Sequence, residues 1–184
     1  MDGFVTTSEV KSKSRYKYYK VLEKAKEGEL VRIRRGVYAK PEQLANTMID
    51  IESVVPGGIL CLFSAWNVYN LTTVIPQSYD IAIKRGRKIT LPDYPEISLH
   101  RFSDNILHLG ETTMTVSGYE IKIYDVERCV CDAVKFRNKV GQDVCKEVVS
   151  NYLNDRRRDI SKLISYADQL RVKSTMEKYL EITL

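Results

Sequence analysis

Histidine is nearly absent from this sequence, with two residues in 184, and cysteine is sparse, with four. Cys61, Cys129, Cys131 and Cys145 form no CxxC pair, and His100 and His108 lie far from most of them in sequence. A structural zinc site needs four ligands, usually in two close pairs. Cys129-Val130-Cys131 has no second pair, so all four cysteines are read as reduced, mostly buried thiols, and no metal or cofactor is expected. Long apolar runs are lacking too. The longest, around Ile59-Leu60-Cys61-Leu62-Phe63, is far too short to cross a bilayer. The start, Met1-Asp2-Gly3-Phe4, has neither the basic cluster nor the apolar stretch of a signal peptide. The expectation is a cytoplasmic chain with no membrane partner. Nine glycines and five prolines beside 43% hydrophobic residues are too few for a disordered polymer. The length suits one ordinary domain, or a small module joined to a medium one.

Charge is present but unevenly spread. The chain carries +5. Residues 1–40 hold eleven Lys/Arg against five acids, which leaves +6 there and −1 over the other 144 residues. All of the excess positive charge lies in the first fifth of the chain, the mark of a segment that meets a polyanion.

That segment carries structure signals. Thr6-Thr7-Ser8-Glu9 has the form of a capping box, predicting a short helix from about Thr7 to Lys13. Ser14 can cap a second helix from Arg15 to about Glu27, stopped by Gly28. Tyr18, Val21, Leu22 and Ala25 recur at helical spacing as a core stripe, with Tyr16, Lys17, Lys20 and Lys24 around the other side. Leu30-Val31-Arg32-Ile33-Arg34 alternates, with Val31 and Ile33 on one face and Arg32 and Arg34 on the other. Arg35-Gly36 is a tight turn, and Val37-Tyr38-Ala39 returns as a second strand ended by Pro41. Helix, turn, basic helix and arginine-tipped ribbon make a winged helix-turn-helix arrangement. Its longer helix suits a DNA major groove, and its ribbon suits backbone or minor groove. The candidate DNA-binding residues are Ser14, Arg15, Tyr16, Lys17 and Lys20 on the helix, and Arg32, Arg34 and Arg35 on the ribbon. Arginine fits the ribbon because its planar fork pairs with phosphate oxygens.

The stretch GFVTTSEVKSKSRYKYYKVLEKAKEGELVRIRRGVYA resembles the N-terminal winged helix of AbiEi-type antitoxins of type IV toxin–antitoxin and abortive-infection systems. GGILCLFSAWNVYNLTTVIP (57–76), YDIAIKRGRKITLP (79–92), ISLHRFS (97–103) and GYEIKIYDVERCVCDAVKFRNKVG (118–141) resemble the C-terminal domain of the same family, so the likeness spans nearly the whole chain. The resemblance implies an antitoxin that represses its own operon by binding repeats in its promoter. It also implies a larger domain that neutralises a nucleotidyltransferase-like toxin without needing a stable complex. Family members generally have a further helix before the segment matching VTT. Here five residues precede Thr6, so that helix is missing or truncated, or the larger domain covers the face it would have filled.

The rest reads as an α+β domain, giving a division into a module at 1–41 and a domain at 42–184. Pro41 opens a helix reaching about Val55, stopped by Pro56-Gly57-Gly58. A short helix over 64–69 is capped by Ser64. Strands are expected at 79–84, 88–91, 97–102, 112–116 and 119–124, the last two joined at Ser117-Gly118. Asp125 caps a helix to about Lys139 with Val126, Cys129, Val130, Ala133 and Val134 as its apolar stripe, and three more helices follow near 142–153, 159–168 and 171–181. The sheet lies in the middle and helices close the chain.

Motifs for chemistry are thin. Asp93, Glu120 and Lys122 have the outline PD…ExK of Mg²⁺-dependent restriction-type nucleases, in which two carboxylates hold metal and the lysine assists water. An alternating Glu-Ile-Lys is equally an exposed strand face, and no catalytic role is assigned. Ser64 with His100 or His108 lacks a nucleophile elbow. Lys84-Arg85-Gly86-Arg87-Lys88 reads either as a charged hairpin loop or as a second basic patch toward nucleic acid or a charged partner. Arg156-Arg157-Arg158 reads as a solvated loop or, alternatively, an electrostatic patch, and Trp66 with Tyr69 as core packing. Besides the autorepressor, two alternatives stand: the nuclease, and a module whose larger domain binds toxin directly. Repeated operators would suit an oligomer on DNA.

Overall fold

The computed structural model describes residues 4–34, 36–40, 51–91, 95–116 and 118–183. The basic segment begins with an element the sequence reading missed, strand β1 (Phe4–Thr6). Helices α1 (Thr7–Lys13) and α2 (Arg15–Lys26) follow within a residue of expectation. Ser14 caps α2, its hydroxyl oxygen accepting the Lys17 N–H at 3.4 Å, and Gly28 takes φ +79° just past the helix end. Strands β2 (Val31–Arg34) and β3 (Val37–Ala39) form the ribbon, and β1 adds to its other edge, giving the antiparallel order β1-β3-β2. Val21, Leu30 and Tyr38 make a small core, with Val5, Val10, Leu22 and Ala25 packed around it.

The ribbon departs from strict alternation. Val31 pairs with Ala39 and Arg32 with Tyr38, but Arg34 pairs with Val37, so the register slips by one residue in between. Such a slip bends the strand locally. Gly36 turns at φ +83°, and its carbonyl accepts both the N–H and the hydroxyl of Thr7. A Cβ there would lie 2.8 Å from the Thr7 hydroxyl oxygen, so glycine serves both the turn and the close approach.

The expected helix over 41–55 lies mostly outside the described residues. Its last turn is α3 (Ile51–Val54), closed by Glu52, whose carboxylate accepts the Gly57 N–H. Strand β4 (Ile59–Leu60) and helix α4 (Leu62–Val68) follow. The helix starts before Ser64, so Ser64 does not cap it. Its hydroxyl instead donates to the Ser78 carbonyl and accepts the Asp80 N–H, tying α4 to β5 (Tyr79–Lys84). Strand β6 (Ile97–Phe102), the one-turn helix α5 (Asp104–Leu107), β7 (Glu111–Val116) and β8 (Tyr119–Tyr124) complete the sheet elements.

These strands form a mixed sheet of order β6-β5-β4-β8-β7. β5 runs parallel to β6 and β4 parallel to β8, while β4–β5 and β7–β8 are antiparallel. β5 sits inside the sheet, and Asp80, Ile81, Ala82 and Ile83 are buried in succession rather than alternating. The parallel β5–β6 pairing corrects two expectations. Lys84–Lys88 opens a crossover between parallel strands and not a hairpin. Residues 88–91 form no strand, because that stretch is spent returning the chain to the start of β6, with Ile89 and Leu91 packed against the core on the way.

Helices α6 (Val126–Val140), α7 (Gln142–Asn154), α8 (Ile160–Gln169) and α9 (Lys173–Thr183) close the chain. Asp125 caps α6 through the Arg128 N–H, and Gly141 ends it. The main core joins Ile59, Leu60, Ile81, Ile83 and Ile123 of the sheet to Cys129, Val130, Val134, Val148, Leu163 and Met176 of the helices, and includes Trp66, whose indole N–H donates to the Cys129 carbonyl. Val37 of β3 belongs to this core as well. One residue of the ribbon thus reaches the large core, while the rest of the described N-terminal segment packs on the small one.

Candidate nucleic-acid interface

Helix α2 positions half of the expected contact residues. With Val21 buried and Leu22 and Ala25 half-buried toward the small core, helical spacing turns Arg15, Tyr16, Lys17, Lys20 and Lys24 to solvent, and all five are exposed. Ser14 is half-buried and spends its oxygen on the cap, which gives it a positioning part. Arg32 is exposed on β2. Arg34 ends that strand, and Arg35 lies outside the described residues.

The electrostatics of α2 are unfavourable at its start and favourable at its end, where Lys24 and Lys26 lie in the last turn. Its first turn contains no acid and carries Arg15 and Lys17, where the positive end of the helix dipole disfavours cations. Among the described residues Lys24 pairs with Glu29 at 3.0 Å, whereas the ammonium of Lys20 rests 5.3 Å from the centre of the Tyr16 ring. Lys11 on α1 stands over Tyr18 in the same way, at 5.7 Å. Sequence reasoning passed over Tyr19, which is exposed on the same helix; its signal was an aromatic outside the core stripe.

The second basic patch is only partly free. Lys84 at the end of β5 is paired with Asp104 at 2.5 Å. Arg85 and Lys88 are exposed, and Arg87 is half-buried beside Gly57. Arg157, in the loop before α8, is exposed and grips Asp155 through two guanidinium nitrogens.

Among the described residues no catalytic outline assembles. Asp93 lies outside the described residues. Glu120 and Lys122 are exposed on β8, with Lys122 3.6 Å from Glu111. His100 Nε2 is 2.7 Å from Asp80 Oδ1, while Ser64 is engaged with backbone groups, and His108 pairs with Glu111. Among the described residues no group of three or more His, Cys, Asp or Glu could hold a metal ion. All four cysteines are free and buried, and burial pushes each thiol above its ordinary range. No described helix is long and apolar enough to cross a membrane.

Two features of the larger domain were not foreseen. Arg128 and Asp132, one turn apart on α6, form a fully buried ion pair at 3.1 Å. The Arg128 guanidinium also donates to the Ile106 and Leu109 carbonyls and lies 4.2 Å from the centre of the Tyr124 ring. Burial pushes the Asp132 carboxyl upward against the opposing pull of Arg128. A cleft of about 350 Å³ is floored by Tyr69, Met114 and Val126 and rimmed by Asp125, Glu127, Asp155, Arg157 and Arg158. Its carboxylates are already engaged, Lys162 bridging Asp125 at 3.0 Å and Glu127 at 3.1 Å.

No protein-family model matches the chain, and no curated protein matches it either.

Proposed function

We propose that this chain is a DNA-binding autorepressor and antitoxin, with a winged helix-turn-helix at residues 1–41 and an antitoxin domain at 42–184. One observation supports the reading: α2 places exposed cations in its first turn, where they cost the helix stability that a bound polyanion would offset. Arg15, Tyr16, Lys17 and Lys20 would face the major groove, and Arg32, Arg34 and Arg35 the backbone or minor groove. The resemblance to AbiEi-type antitoxins supplies the remainder: promoter repeats as ligand, autorepression as output, and a nucleotidyltransferase-like toxin as the activity countered. Several copies along repeated operators, and a cytoplasmic setting, belong to the same proposal.

The test is binding of the full chain to the promoter DNA of its own operon across a salt series, against unrelated DNA of equal length. Tighter binding to the promoter, with affinity falling steeply as salt rises, is the expected result. The double variant Arg34→Ala/Arg35→Ala should weaken binding to both DNAs and flatten the salt dependence by about two phosphate contacts. Unchanged affinity and slope in that variant would overturn the assignment of the ribbon.

A second reading, direct docking of the toxin on the larger domain, draws on Ile75. It is 75% exposed in a segment whose preceding threonines are pinned to Glu147. A toxin that co-purifies with the full chain and is lost from Ile75→Asp would favour it.

A further inference from the structure

Two aromatic rings stand in water on the most basic helix of this chain. Tyr16 is 69% exposed and Tyr19 58%, one helical turn apart on the side of α2 that carries Lys20. A buried tyrosine removes about 150–250 Å² from water, so leaving two exposed forfeits stabilisation that the small core could have used. The rings are also held. Lys20 lies over Tyr16, and Tyr19 packs edge-on against Tyr18 with ring centres 5.4 Å apart. A face meant only for solvent needs neither feature; the lysines alone would keep it wet.

Resting on the DNA-binding reading above, we infer that Tyr16 and Tyr19 read thymine 5-methyl groups, so that the duplex bound by α2 carries thymines at neighbouring base pairs. The chemistry of the face selects this ligand. Its cations require an anionic partner, and its rings require an apolar one within a few ångströms of the anion. The DNA major groove offers both, phosphates at its rim and the thymine methyl as the apolar group on its floor. Arginine or lysine on the floor would favour guanine; a tyrosine has no bidentate fork, and its ring offers the kind of apolar contact that a phenylalanine gives the thymine methyl. Three residues of α-helix rise about 4.5 Å, between one and two base-pair steps of about 3.4 Å, which puts the two rings within reach of neighbouring base pairs. Lys20, seated on the Tyr16 ring, keeps its remaining donors for the flanking phosphate. Single-stranded nucleic acid could also stack on these rings, but a rigid helix with flanking cations matches a groove better than a splayed strand.

The experiment uses the full chain and a random pool of 20-base-pair duplexes, from which bound sequences are recovered at fixed salt. The recovered duplexes are resynthesised with deoxyuridine in place of thymidine, which removes the methyl and keeps the pairing. The expected result is a thymine-containing step common to the recovered set. Each methyl removed there should weaken the parent chain about fourfold, the worth of one buried methylene-sized group. Tyr16→Ala and Tyr19→Ala should bind more weakly, lose the response to the methyl at one position each, and keep the parent's salt slope because no charge is removed. Recovery of a preferred duplex that binds equally well with uracil would overturn this inference and leave the DNA-binding reading intact. Tighter binding to the separated strands, lost in Tyr16→Ala, would overturn it in favour of base stacking. Failure to recover any duplex with salt-dependent affinity would sink both readings together.

Discussion

Val37 and Tyr38 are neighbours on β3, both buried, and each belongs to a different core. Val37, 6% exposed, joins the large core, and Tyr38, 7% exposed, joins the small one. Side chains alternate across a strand, so one strand three residues long holds the two cores back to back. Val37→Ala should cost about 1–3 kcal/mol and lower amide protection on both sides of the strand. Tyr38→Ala should release α1 and α2 while leaving α6–α9 protected. Hydrogen exchange resolves the two patterns, and a Val37→Ala chain with undisturbed protection in the large domain would mean that β3 is not shared.

Arg128 and Asp132 hold α6 to the segment around α5. Among the described residues, one buried nitrogen of Arg128 and one buried oxygen of Asp132 lack a hydrogen-bond partner, so the pair relies on mutual attraction, on the Ile106 and Leu109 carbonyls and on the Tyr124 ring beneath the guanidinium. Arg128→Met leaves Asp132 buried without its cation and should cost about 3–5 kcal/mol, whereas Arg128→Met/Asp132→Leu should recover most of that loss. Urea unfolding of the two variants and the parent measures it. Equal destabilisation in single and double variants would show that the carbonyl contacts, and not the ion pair, dominate.

Gly110 and Gly118 separate backbone strain from packing. Both have positive φ, +75° and +84°, but an added Cβ at Gly118 meets nothing within 4 Å, while at Gly110 it lies 2.6 Å from Arg128 Cβ. Gly118→Ala should therefore cost only the left-handed backbone, about 1–2 kcal/mol. Gly110→Ala should cost about that plus 1–3 kcal/mol for displacing α6. Denaturant midpoints that coincide would place the Arg128 backbone further from Gly110 than the structure has it.

Glu147 gives the loop before β5 a dependence on acidity. Hydrogen bonding from the Thr72 hydroxyl, and then from Thr73, holds its carboxyl below the ordinary 4.5 despite some desolvation. The folded-state pKa is depressed, so the stabilisation is complete above the unfolded value and is lost as pH falls through the folded one. Glu147→Gln should lower stability by about 1 kcal/mol at pH 7, and the gap between parent and variant should close in acid below pH 4.5. Thermal unfolding of both chains across that range is the measurement, and a gap independent of pH would assign the effect to packing.

Local signals were the legible ones. Ser14 and Asp125 announce their helices because a cap needs only a side-chain oxygen and a following N–H, and Gly28, Gly36 and Gly141 mark ends and turns for similarly local reasons. The exposed cations of α2 followed from helical spacing alone. What the residues did not disclose depends on partners distant in sequence. β1 is recognisable only once β3 is there to pair with it, and the missing strand at 88–91 becomes a crossover only because β5 and β6 run parallel. Nothing local to Arg128 and Asp132 shows that the sheet and α5 close over them. Lys84 looked like part of a free patch until the fold brought Asp104 beside it.

The cysteines serve as a strain gauge on one half of the chain. Cys61 precedes α4, Cys129 and Cys131 lie on α6, and Cys145 lies on α7, all buried and with thiols poorly disposed to ionise, whereas residues 1–40 contain none. A thiol reagent will thus stay silent toward the native chain and report only openings of the large core. A single cysteine placed at an exposed position of α2 would light up at once, and its rate against the slow four would time how independently the basic N-terminal end breathes.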